Sequence, residues 1–351
     1  MNSPSRSLKG TMKAAVLEAF HRPLVVRDVK LPPPGPDEVT VEVKACGLCL
    51  TDIHIHEGRV PTVKPPLVPG HEFAGRVVAL GNAVEGVEVG ARVTVFVDVN
   101  CGRCRFCLRG ETSRCTALSR IGFERDGGMA EFANVPAANV EAIADGVSFE
   151  KAAVIPDAVA AMYRGLKTVG QVGVGTQVAI VGTGGLGLQG VKIARMMGAH
   201  VTCVDLDDRK LERARGFGAT RLVNPARESL MDAARELDGG FDVVIDNVGK
   251  KESLFQSVSA CCPGGRVVAM GYVDPELSVP AYDVVIREKQ VLGSRSISRA
   301  EFREVVALVN RGDLDPDIGE LVPMDDINQA YAHLREGRYL TRTVLTLPFR
   351  A

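Results

Sequence analysis

The sequence predicts an α/β protein in which a β-rich body precedes a doubly wound parallel sheet. Three observations support this prediction. Short segments of alternating polarity, separated by Gly and Pro, fill the first part of the chain. From Gln177 onward, apolar strands alternate with helical segments, which is typical of a parallel sheet covered by helices. A glycine-rich turn joins the first of these strands to the first of these helices.

The β-rich body is expected from four short segments in which apolar and polar residues alternate. They cover residues 13–17, 39–43, 73–80 and 91–97. A Pro-rich turn at 32–36 separates the first two segments. Short strands punctuated in this way indicate a compact all-β arrangement.

The parallel sheet is expected from a series of apolar strands and helices. The strands are predicted at 178–181, 201–204, 241–245, 266–270 and 291–292, and the helices at 186–197 and from residue 211. The stretch from Ala300 is expected to form a helix and then a strand at 342–347, which packs back on the β-rich body. These changes of pattern predict a first domain over residues 1–158, completed by 299–351, and a second domain over 159–298.

Composition argues against several classes of function. The chain has 351 residues, a net charge of −1 and no Trp, so neither a basic field nor a base-stacking surface for nucleic acid is expected. No apolar run reaches the length of about 18 residues that a membrane span requires. The first 20 residues lack the apolar core of a signal peptide. A cytoplasmic enzyme without nucleic-acid or membrane partners is therefore expected.

Four of the nine cysteines lie in one short loop. Cys101, Cys104, Cys107 and Cys115 have the spacing C-x2-C-x2-C-x7-C. Four thiolates in such a loop can close a tetrahedral shell around Zn²⁺. Two disulfides would need strained bridges between near neighbours, whereas an iron–sulfur cluster also uses four thiolates and stays an alternative. A closed shell leaves no open position, so we expect this zinc to be structural.

The segment G-T-G-G-L-G fits the fingerprint of a dinucleotide-binding turn, because it follows an apolar strand and opens a helix. Gly182 allows the tight turn, Gly184 lets the backbone approach a pyrophosphate, and Gly187 lets helix and strand pack closely. Gly185 and Leu186 lie where the helix N-terminus would offer N–H groups to the phosphates. The alternative is a glycine turn in an α/β domain that binds no nucleotide.

Asp205 follows the second strand of the sheet, 18 positions after Gly187. A carboxylate there accepts hydrogen bonds from the ribose hydroxyls and repels a 2′-phosphate, so NAD is favoured over NADP. Lys210 is expected to support the ribose from the following turn. Asp207 and Asp208 are nearby alternatives to Asp205, but the start of a solvated helix is the favoured interpretation for both.

Two further segments carry residue types that bind metals. Cys49, Thr51 and His54 lie together in G-L-C-L-T-D-I-H, and His71 precedes Glu72 in G-H-E. Three protein ligands and one open position define a catalytic zinc site. Spacing alone does not show that these segments meet. Taken singly, Cys49 is better interpreted as a buried thiol and His71 as a loop histidine.

Together these motifs closely resemble the zinc-dependent medium-chain alcohol dehydrogenase family. The resemblance extends over residues 13–347 and is specific, because five motifs occur in the family's order. They are G-x-C-x-[ST]-D-x-H, G-H-E, the four-cysteine loop, the glycine turn with its acidic residue, and R-T-V-L near the end. The resemblance implies a GroES-like catalytic domain and a Rossmann cofactor domain. It also implies an oxidoreductase with two zinc ions per chain that transfers hydride between an alcohol and NAD.

The resemblance assigns metal-binding roles to individual residues. It makes Cys49 and His71 zinc ligands and places Glu72 close to the metal. The third ligand in the family is often a cysteine, but Asp157 stands at that position here, as aspartate does in some bacterial secondary-alcohol dehydrogenases. Carboxylate oxygen is an accepted zinc ligand. The alternative is that Asp157 caps a helix after the preceding proline.

The resemblance also suggests a path for the proton and a contact for the cofactor. The Thr51 hydroxyl is expected to contact the substrate oxygen, and His54 to carry the proton toward solvent through the cofactor ribose. His56 is a less favoured candidate for that task. Arg342 is expected to pair with the cofactor pyrophosphate through its guanidinium group.

The substrate and the assembly are predicted in less detail. Val97 stands where relatives line the substrate pocket, and together with Asp157 it favours secondary alcohols and ketones. A polyol or sugar dehydrogenase is the close alternative. A zinc-free reductase or a non-enzymatic NAD-binding protein would leave the metal motifs unexplained. Edge strands of the cofactor domain favour a homo-oligomer, either a tetramer or a dimer.

Overall fold

The computed structural model of the protein describes residues 10–349, so expectations that concern residues 1–9 lie outside the described residues. The chain divides into two compact units. The first contains the described residues up to Asp157 and those from Ser298 onward, and the second is Ala158–Ile297. The boundaries expected from the sequence lie one residue later at both crossings.

The described residues form strands and helices in the following order. The strands are β1 (Thr11–Val16), β2 (Val25–Lys30), β3 (Glu38–Gly47), β4 (Glu72–Leu80), β5 (Arg92–Val95), β6 (Asp98–Val99), β7 (Ser119–Arg120), β8 (Phe132–Pro136), β9 (Val140–Ala142), β10 (Gln177–Val181), β11 (His200–Val204), β12 (Arg221–Val223), β13 (Phe241–Asp246), β14 (Cys261–Ala269), β15 (Gln290–Gly293), β16 (Leu321–Pro323) and β17 (Val344–Thr346). The α-helices are α1 (Leu50–His56), α2 (Phe149–Ala153), α3 (Ala160–Arg164), α4 (Gly187–Met196), α5 (Asp208–Gly216), α6 (Leu230–Arg235), α7 (Lys251–Ala260), α8 (Ala281–Val285), α9 (Arg299–Arg311) and α10 (Ile327–Arg335). Every helix in this set is too short or too polar to cross a lipid bilayer.

The first unit is built on a seven-stranded sheet in the order β16-β17-β3-β4-β5-β9, with β8 also paired to β3. All pairs in it are antiparallel except β16 with β17. Alternate side chains of β3 and β4, including Val41, Val43 and Val77, are buried in one apolar core. The period of two in the sequence therefore corresponds to one buried face of each strand.

Strand β3 brings the two metal-binding segments together. It pairs with β4 so that Gly47 lies opposite Glu72, and with β17 so that Val344 lies opposite Gly47. The chain that leaves β3 and the chain that enters β4 therefore emerge at the same end of the pair. A Cβ atom on Gly47 would lie 2.5 Å from Oε2 of Glu72, so this close approach requires glycine.

The second unit contains a six-stranded, fully parallel sheet in the order β12-β11-β10-β13-β14-β15. The strand order reverses between β10 and β13, which is the point where doubly wound sheets bind ligands. Ile180, Val201, Val244 and Val268 are fully buried in its strands. The predicted fold class is confirmed.

Two local features differ from the sequence-based expectations. The last strand begins at Val344 instead of residue 342, and the side chain of Arg342 contacts the carboxylates of Glu72 and Asp157. Short helices also interrupt the β-rich body. Helices α1 and α2 begin after Cys49 and Ser148, whose side chains accept backbone N–H groups of the first helical turn.

Candidate metal centres and cofactor site

Cys49, His71 and Asp157 bring three potential metal ligands to one place in the first unit. Together with Glu72, they offer ligand atoms that all lie within 4.8 Å of one another. Cys49 Sγ is 3.3 Å from Asp157 Oδ2, and His71 Nε2 is 3.7 Å from the same oxygen. Tetrahedral zinc with bonds of about 2.0–2.3 Å separates its ligand atoms by about 3.3–3.8 Å. The spacing therefore fits a single zinc ion.

A capping box fixes the position of Cys49. The thiol accepts a hydrogen bond from the Thr51 N–H at 3.5 Å, and the Cys49 N–H donates to Asp52 Oδ2 at 2.9 Å. This reciprocal arrangement begins helix α1 and pins the loop that follows β3. The Cys49 sulfur is consequently held at the start of this helix.

Asp52 also orients His71, a role that the sequence analysis did not assign. Its Oδ1 atom lies 3.2 Å from His71 Nδ1, and both side chains are buried. A histidine that donates Nδ1–H to a carboxylate presents Nε2 to a metal. The signal was present in the sequence, since Asp52 is the acidic residue of the motif that carries Cys49. The contact itself depends on the tertiary fold.

The buried polar atoms around this point need a further partner. His71 Nε2 and both carboxylate oxygens of Glu72 are buried and have no hydrogen-bond partner in the described part of the chain. His71 Nε2 and Glu72 Oε1 are 3.8 Å apart. A buried polar atom without a partner costs about 1–3 kcal/mol. A cation held between these atoms would remove that cost, so the residues fit a metal ion.

The charges of the cluster also fit a divalent cation. Arg342 Nη2 lies 3.3 Å from Glu72 Oε1 and 3.2 Å from Asp157 Oδ2. Three acidic groups, those of Cys49, Glu72 and Asp157, therefore surround one guanidinium, which is an arrangement that a bound cation would stabilise. Both of these carboxylates belong to the same unit as Arg342. The pairing of Arg342 with a cofactor pyrophosphate stays a prediction.

The two carboxylates of the cluster differ in acidity. Burial raises the pKa of Glu72 well above its usual range, although Arg342 acts against the shift. Burial also acts on Asp157, but His71 and Arg342 outweigh it and hold the pKa of this carboxyl well below its usual range. Of the two carboxyl groups, Asp157 therefore loses its proton more readily, and a carboxylate must be deprotonated to bind a metal.

The backbone around Asp157 directs its side chain toward the cluster. Residues Ile155–Val159 form a single π-helical turn, a geometry that is frequent at functional sites. The carboxylate lies beside Cys49 and Arg342. Helix α3 begins after Val159 and has no side-chain cap. The helix-capping alternative for Asp157 is therefore disfavoured, since its oxygens are engaged elsewhere.

The residues expected to carry the proton lie on helix α1. Thr51 and His54 are half-buried, within the first and last turns of this helix. Burial and the charge of Arg59 lower the pKa of His54 below its usual value. His56 instead uses its ring to contact the carbonyl oxygen of Arg22 at 2.8 Å, on an exposed side of the helix.

The four cysteines of the second cluster are grouped without a disulfide. Their sulfur atoms lie within 4.8 Å of one another, with Cys104 and Cys107 3.5 Å apart and Cys101 and Cys107 4.0 Å apart. Tetrahedral Zn–S bonds of about 2.3 Å separate sulfurs by about 3.8 Å. Backbone N–H groups of Cys107 and Thr116 lower the pKa of Cys104 to about 5. Cys101 N–H donates to Cys115 Sγ at 3.4 Å. Burial and the neighbouring Cys104 raise the pKa of Cys107 to about 12, so the spacing of the four sulfurs, rather than a shared acidity, is what fits one ion.

The glycine turn lies between β10 and α4 in the second unit. Gly182 has φ +86°, and a Cβ atom on Gly187 would lie 2.1 Å from the Gly182 oxygen. A Cβ atom on Gly184 would meet nothing within 4 Å, so this position faces open space. Helix α4 begins after Leu186 without a side-chain cap, and Gly185 precedes that residue in the turn. The uncapped helix start therefore fits an anion such as a pyrophosphate.

Asp205 connects the end of β11 to this turn. Its Oδ2 accepts hydrogen bonds from Thr183 N at 2.8 Å and Thr183 Oγ1 at 3.2 Å, and its Oδ1 accepts one from Asp207 N at 3.0 Å. The carboxylate is thus fixed beside the glycine turn and keeps part of its acceptor capacity for a ligand. Lys210 lies half-buried in the first turn of α5. Asp207 caps α5, as expected for a helix start.

Comparisons with known proteins agree with this arrangement. A family model described as an alcohol dehydrogenase GroES-like domain matches residues 35–145, and one described as a zinc-binding dehydrogenase matches residues 185–311. An alcohol dehydrogenase from Geobacillus stearothermophilus is 36% identical, with 95% of this chain and 99% of the relative covered.

Two further relatives differ in the activity that their names give. An L-threonine 3-dehydrogenase from Yersinia pestis is 31% identical over 89% of this chain and 93% of its own length. The structure of an acetophenone reductase from Geotrichum candidum in complex with NAD has a TM-score of 0.90 and 31% identity, covering 97% of this chain and 99% of that chain. The sequence motifs, the fold and these similarities lead to one conclusion. The chain is an oxidoreductase that belongs to the zinc-dependent medium-chain alcohol dehydrogenase family.

Proposed function

We propose that this dehydrogenase interconverts an alcohol and a carbonyl compound at a zinc ion held by Cys49, His71 and Asp157. The observation that carries the proposal is the convergence of one sulfur, one imidazole nitrogen and one carboxylate oxygen from three separate segments. Three protein ligands leave one position of a tetrahedral zinc open, which is where a substrate oxygen binds in catalytic sites. Glu72 stands beside this set as a buried neighbour.

The chemistry follows from how the chain holds these groups. When bound, zinc would act as a Lewis acid on the substrate oxygen, and NAD would accept or return the hydride. Asp52 keeps the His71 ring in one orientation. Arg342 offsets part of the negative charge of Glu72 and Asp157. The site is thereby preorganised, which limits the rearrangement needed when substrate binds.

A proton has to leave the site when an alcohol is oxidised. We infer that the Thr51 hydroxyl takes part in the first transfer and that His54 passes the proton to solvent. The lowered pKa of His54 keeps its imidazole neutral at pH 7, which is the form that accepts a proton. The ring contact of His56 with Arg22 makes it the poorer candidate.

We propose that the four-cysteine loop binds a second zinc ion that has no chemical role. Its four thiolates would saturate the metal, so no position is left for substrate. An iron–sulfur cluster stays the alternative, because it uses the same ligands. Metal analysis of the purified protein decides between them: two zinc ions and no iron per chain are expected.

We propose that NAD is the cofactor and that Gly182, Gly184 and Gly187 shape its binding turn. Asp205, fixed beside that turn, supports the preference for NAD over NADP because it would face a 2′-phosphate with like charge. Lys210 and Arg342 are expected to contact the ribose and the pyrophosphate. In a fluorescence titration, we expect NADH to bind at least about tenfold more tightly than NADPH. One unfavourable charge contact has an effect of this order on affinity.

We propose a secondary alcohol or ketone as the substrate. The aspartate ligand and the buried, compact Val97 support this choice, as does the name of the acetophenone reductase with the same fold. A polyol or amino-alcohol substrate is the second candidate, favoured by the relative named as an L-threonine 3-dehydrogenase. The additional hydroxyls of such a substrate would need polar partners in the pocket.

A substrate panel combined with metal removal tests these proposals. Activity with a simple secondary alcohol, sorbitol and L-threonine is compared in the presence of NAD or NADP. The proposal expects the highest kcat/KM for the secondary alcohol with NAD, loss of activity after chelation and recovery with Zn²⁺. Activity that survives complete removal of zinc would contradict it and would favour a zinc-free reductase.

We propose that the enzyme acts in the cytoplasm as a homo-oligomer, either a tetramer or a dimer. Nine free cysteines suit a reducing compartment. Strand β15 forms one edge of the parallel sheet, and the preceding helix α8 with the residue after it exposes Tyr282, Val285 and Ile286. Exposed apolar side chains and a sheet edge that the described residues leave open both favour burial against a second copy.

A further inference from the structure

We infer that Arg120 and Phe123 are positioning residues that hold the metal ligand His71 through a stack of three side chains. The Arg120 guanidinium lies 4.0 Å from the Phe123 ring centroid, and the Phe123 and His71 ring centroids are 5.1 Å apart. Phe123 therefore contacts both a cation and the imidazole. This inference rests on the zinc site proposed above.

The loop of residues 120–129 lies directly on the backbone that carries His71. Its N–H groups at Gly127, Gly128 and Met129 donate to the carbonyl oxygens of three successive residues, from Val68 to Gly70, at 2.7–3.0 Å. A Cβ atom on Gly122 would lie 2.7 Å from the Gly70 carbonyl carbon and 2.9 Å from the His71 nitrogen. No side chain larger than hydrogen fits there. The loop is thus packed against the ligand's own main chain.

A second set of contacts closes the tip of the loop. Glu124 accepts hydrogen bonds from the Arg120 main chain at 2.8 Å and from its guanidinium through Nε at 3.2 Å and Nη2 at 2.5 Å. Thr62, from the segment after α1, donates to the same Glu124 carboxylate at 2.5 Å. The Arg120 and Glu124 side chains are only 20% and 21% exposed, so solvent screens the pair less than a surface pair. Arg120 is held as a rigid cover for one face of the Phe123 ring.

The stack completes the constraints on His71. Asp52 contacts Nδ1 of the imidazole at 3.2 Å, which sets the direction of Nε2. That contact alone leaves the tilt of the ring free. Phe123, buried at 6% exposure and inclined at 51° to the imidazole, blocks the tilt from one side. Outer contacts of this kind change metal affinity by about 10–100-fold when they are lost.

The test measures zinc release from each site of the intact enzyme. Arg120→Met keeps most of the aliphatic stem but removes the cation, and Phe123→Leu keeps apolar volume but removes the flat ring. Each variant is expected to release the Cys49–His71–Asp157 zinc about tenfold faster into a chromophoric chelator. Release from the four-cysteine site of the same molecule is expected to stay unchanged and serves as an internal reference. Arg213→Met, which removes a similar cation from the Phe217 ring in the second unit, is expected to release both metals as the wild type does.

A spectroscopic measurement separates positioning from general destabilisation. Co²⁺ is exchanged into the Cys49–His71–Asp157 site, and Arg120→Met is expected to shift its visible absorption bands while the thermal unfolding temperature stays near that of the wild type. If a folded Arg120→Met variant releases zinc at the wild-type rate and shows the wild-type spectrum, that result overturns the positioning role but not the proposed zinc site. A wild-type enzyme that holds only the four-cysteine metal would overturn the proposed catalytic site as well.

Discussion

At position 157 a carboxylate stands where the family pattern often has a thiolate, and the structure shows how the chain accommodates it. The π-helical turn Ile155–Val159 places the Asp157 side chain beside Cys49 and Arg342. The guanidinium of Arg342 balances the negative charge of the Asp157 carboxylate. A carboxylate is a harder and less tightly held zinc ligand than a thiolate. If Asp157 is a ligand as proposed, the identity of this residue sets how firmly the metal is retained.

We expect Asp157→Cys to retain the catalytic zinc more tightly than the wild type. A second thiolate raises the affinity for zinc, so release into a chelator should slow on the order of tenfold. The Co²⁺-substituted variant should show stronger thiolate charge-transfer absorption. Asp157→Asn, which has the same shape without the charge, should lose zinc faster. Wild-type zinc retention in Asp157→Asn would show that Asp157 is not a ligand.

His54 provides a prediction about pH. We expect His54→Gln to slow alcohol oxidation by up to about a hundredfold, most strongly at low pH, where hydroxide is too scarce to remove the proton instead. Zinc content should stay unchanged, because His54 lies outside the ligand set. The pH profile of kcat/KM for wild type and variant checks this. Unchanged activity at neutral pH would exclude His54 from the proton path.

Neighbouring charges offer a matched control for this assignment. Neutral His54 accepts the proton, so the rate falls as the pH drops through its folded pKa, which burial and Arg59 place below the usual value. Arg59→Gln should raise that pKa and move the acid limb of the profile to higher pH. Glu57→Gln should move it to lower pH, since Glu57 raises the pKa. Shifts of the same sign in both variants would point to another group.

Among the elements, α1 and α4 show two uses of a helix start. Helix α1 has only seven residues, and the Cys49–Asp52 capping box fixes it while its capping thiol faces the metal cluster. Helix α4 begins without a side-chain cap beside the glycine turn. The first start is satisfied by the protein itself, whereas the second leaves N–H groups that suit an anionic ligand.

Two glycines of the same turn should respond differently to alanine. Gly187→Ala is expected to destabilise the protein by at least about 1–3 kcal/mol, because its Cβ atom would lie 2.1 Å from the Gly182 oxygen. Gly184→Ala should leave the unfolding temperature nearly unchanged, since its Cβ atom meets nothing within 4 Å. It should instead weaken NADH binding, because the methyl group occupies the space where the pyrophosphate is expected.

Thermal unfolding and NADH fluorescence titration of both variants measure the two effects. We expect a lower unfolding temperature for Gly187→Ala and a weaker affinity for NADH for Gly184→Ala. If NADH bound Gly184→Ala as tightly as the wild type, the pyrophosphate would have to lie elsewhere along the turn.

At the scale of the whole molecule, the exposed apolar residues are unevenly distributed. Several lie close in sequence, on helix α8 and the residue that follows it: Tyr282 is 65% exposed, Val285 70% and Ile286 62%. Strand β15 follows them and pairs on one side only with β14. Exposed apolar side chains and an open sheet edge are each a liability for an isolated chain, because both promote association.

We expect Val285→Lys to reduce or abolish self-association. A charge in an apolar contact between copies cannot be buried without a partner, so the sedimentation coefficient should fall toward that of a single chain. Leu108→Lys is the control, because Leu108 is also strongly exposed, at 76%, but lies in the four-cysteine loop. A wild-type protein that sediments as a monomer would contradict the proposed oligomer.

The sequence by itself determined the features that depend on local spacing. Four cysteines within one loop are bound to meet, and a glycine turn between a strand and a helix has few alternative geometries. The fold class followed from periodicity for the same reason, since neighbouring residues set strand and helix patterns. The boundaries of the two units also fell close to changes in this local pattern.

Only the tertiary structure decided which distant residues share the proposed metal-binding cluster. Cys49 and Asp157 are 108 positions apart, and their contact depends on the pairing of β3 with β4 and on the turn that carries Asp157. The contacts of Asp52 with His71 and of Arg342 with two carboxylates likewise arise from long-range packing. Residue spacing gives no information about such contacts, because strand pairing sets the distance between segments that the chain separates.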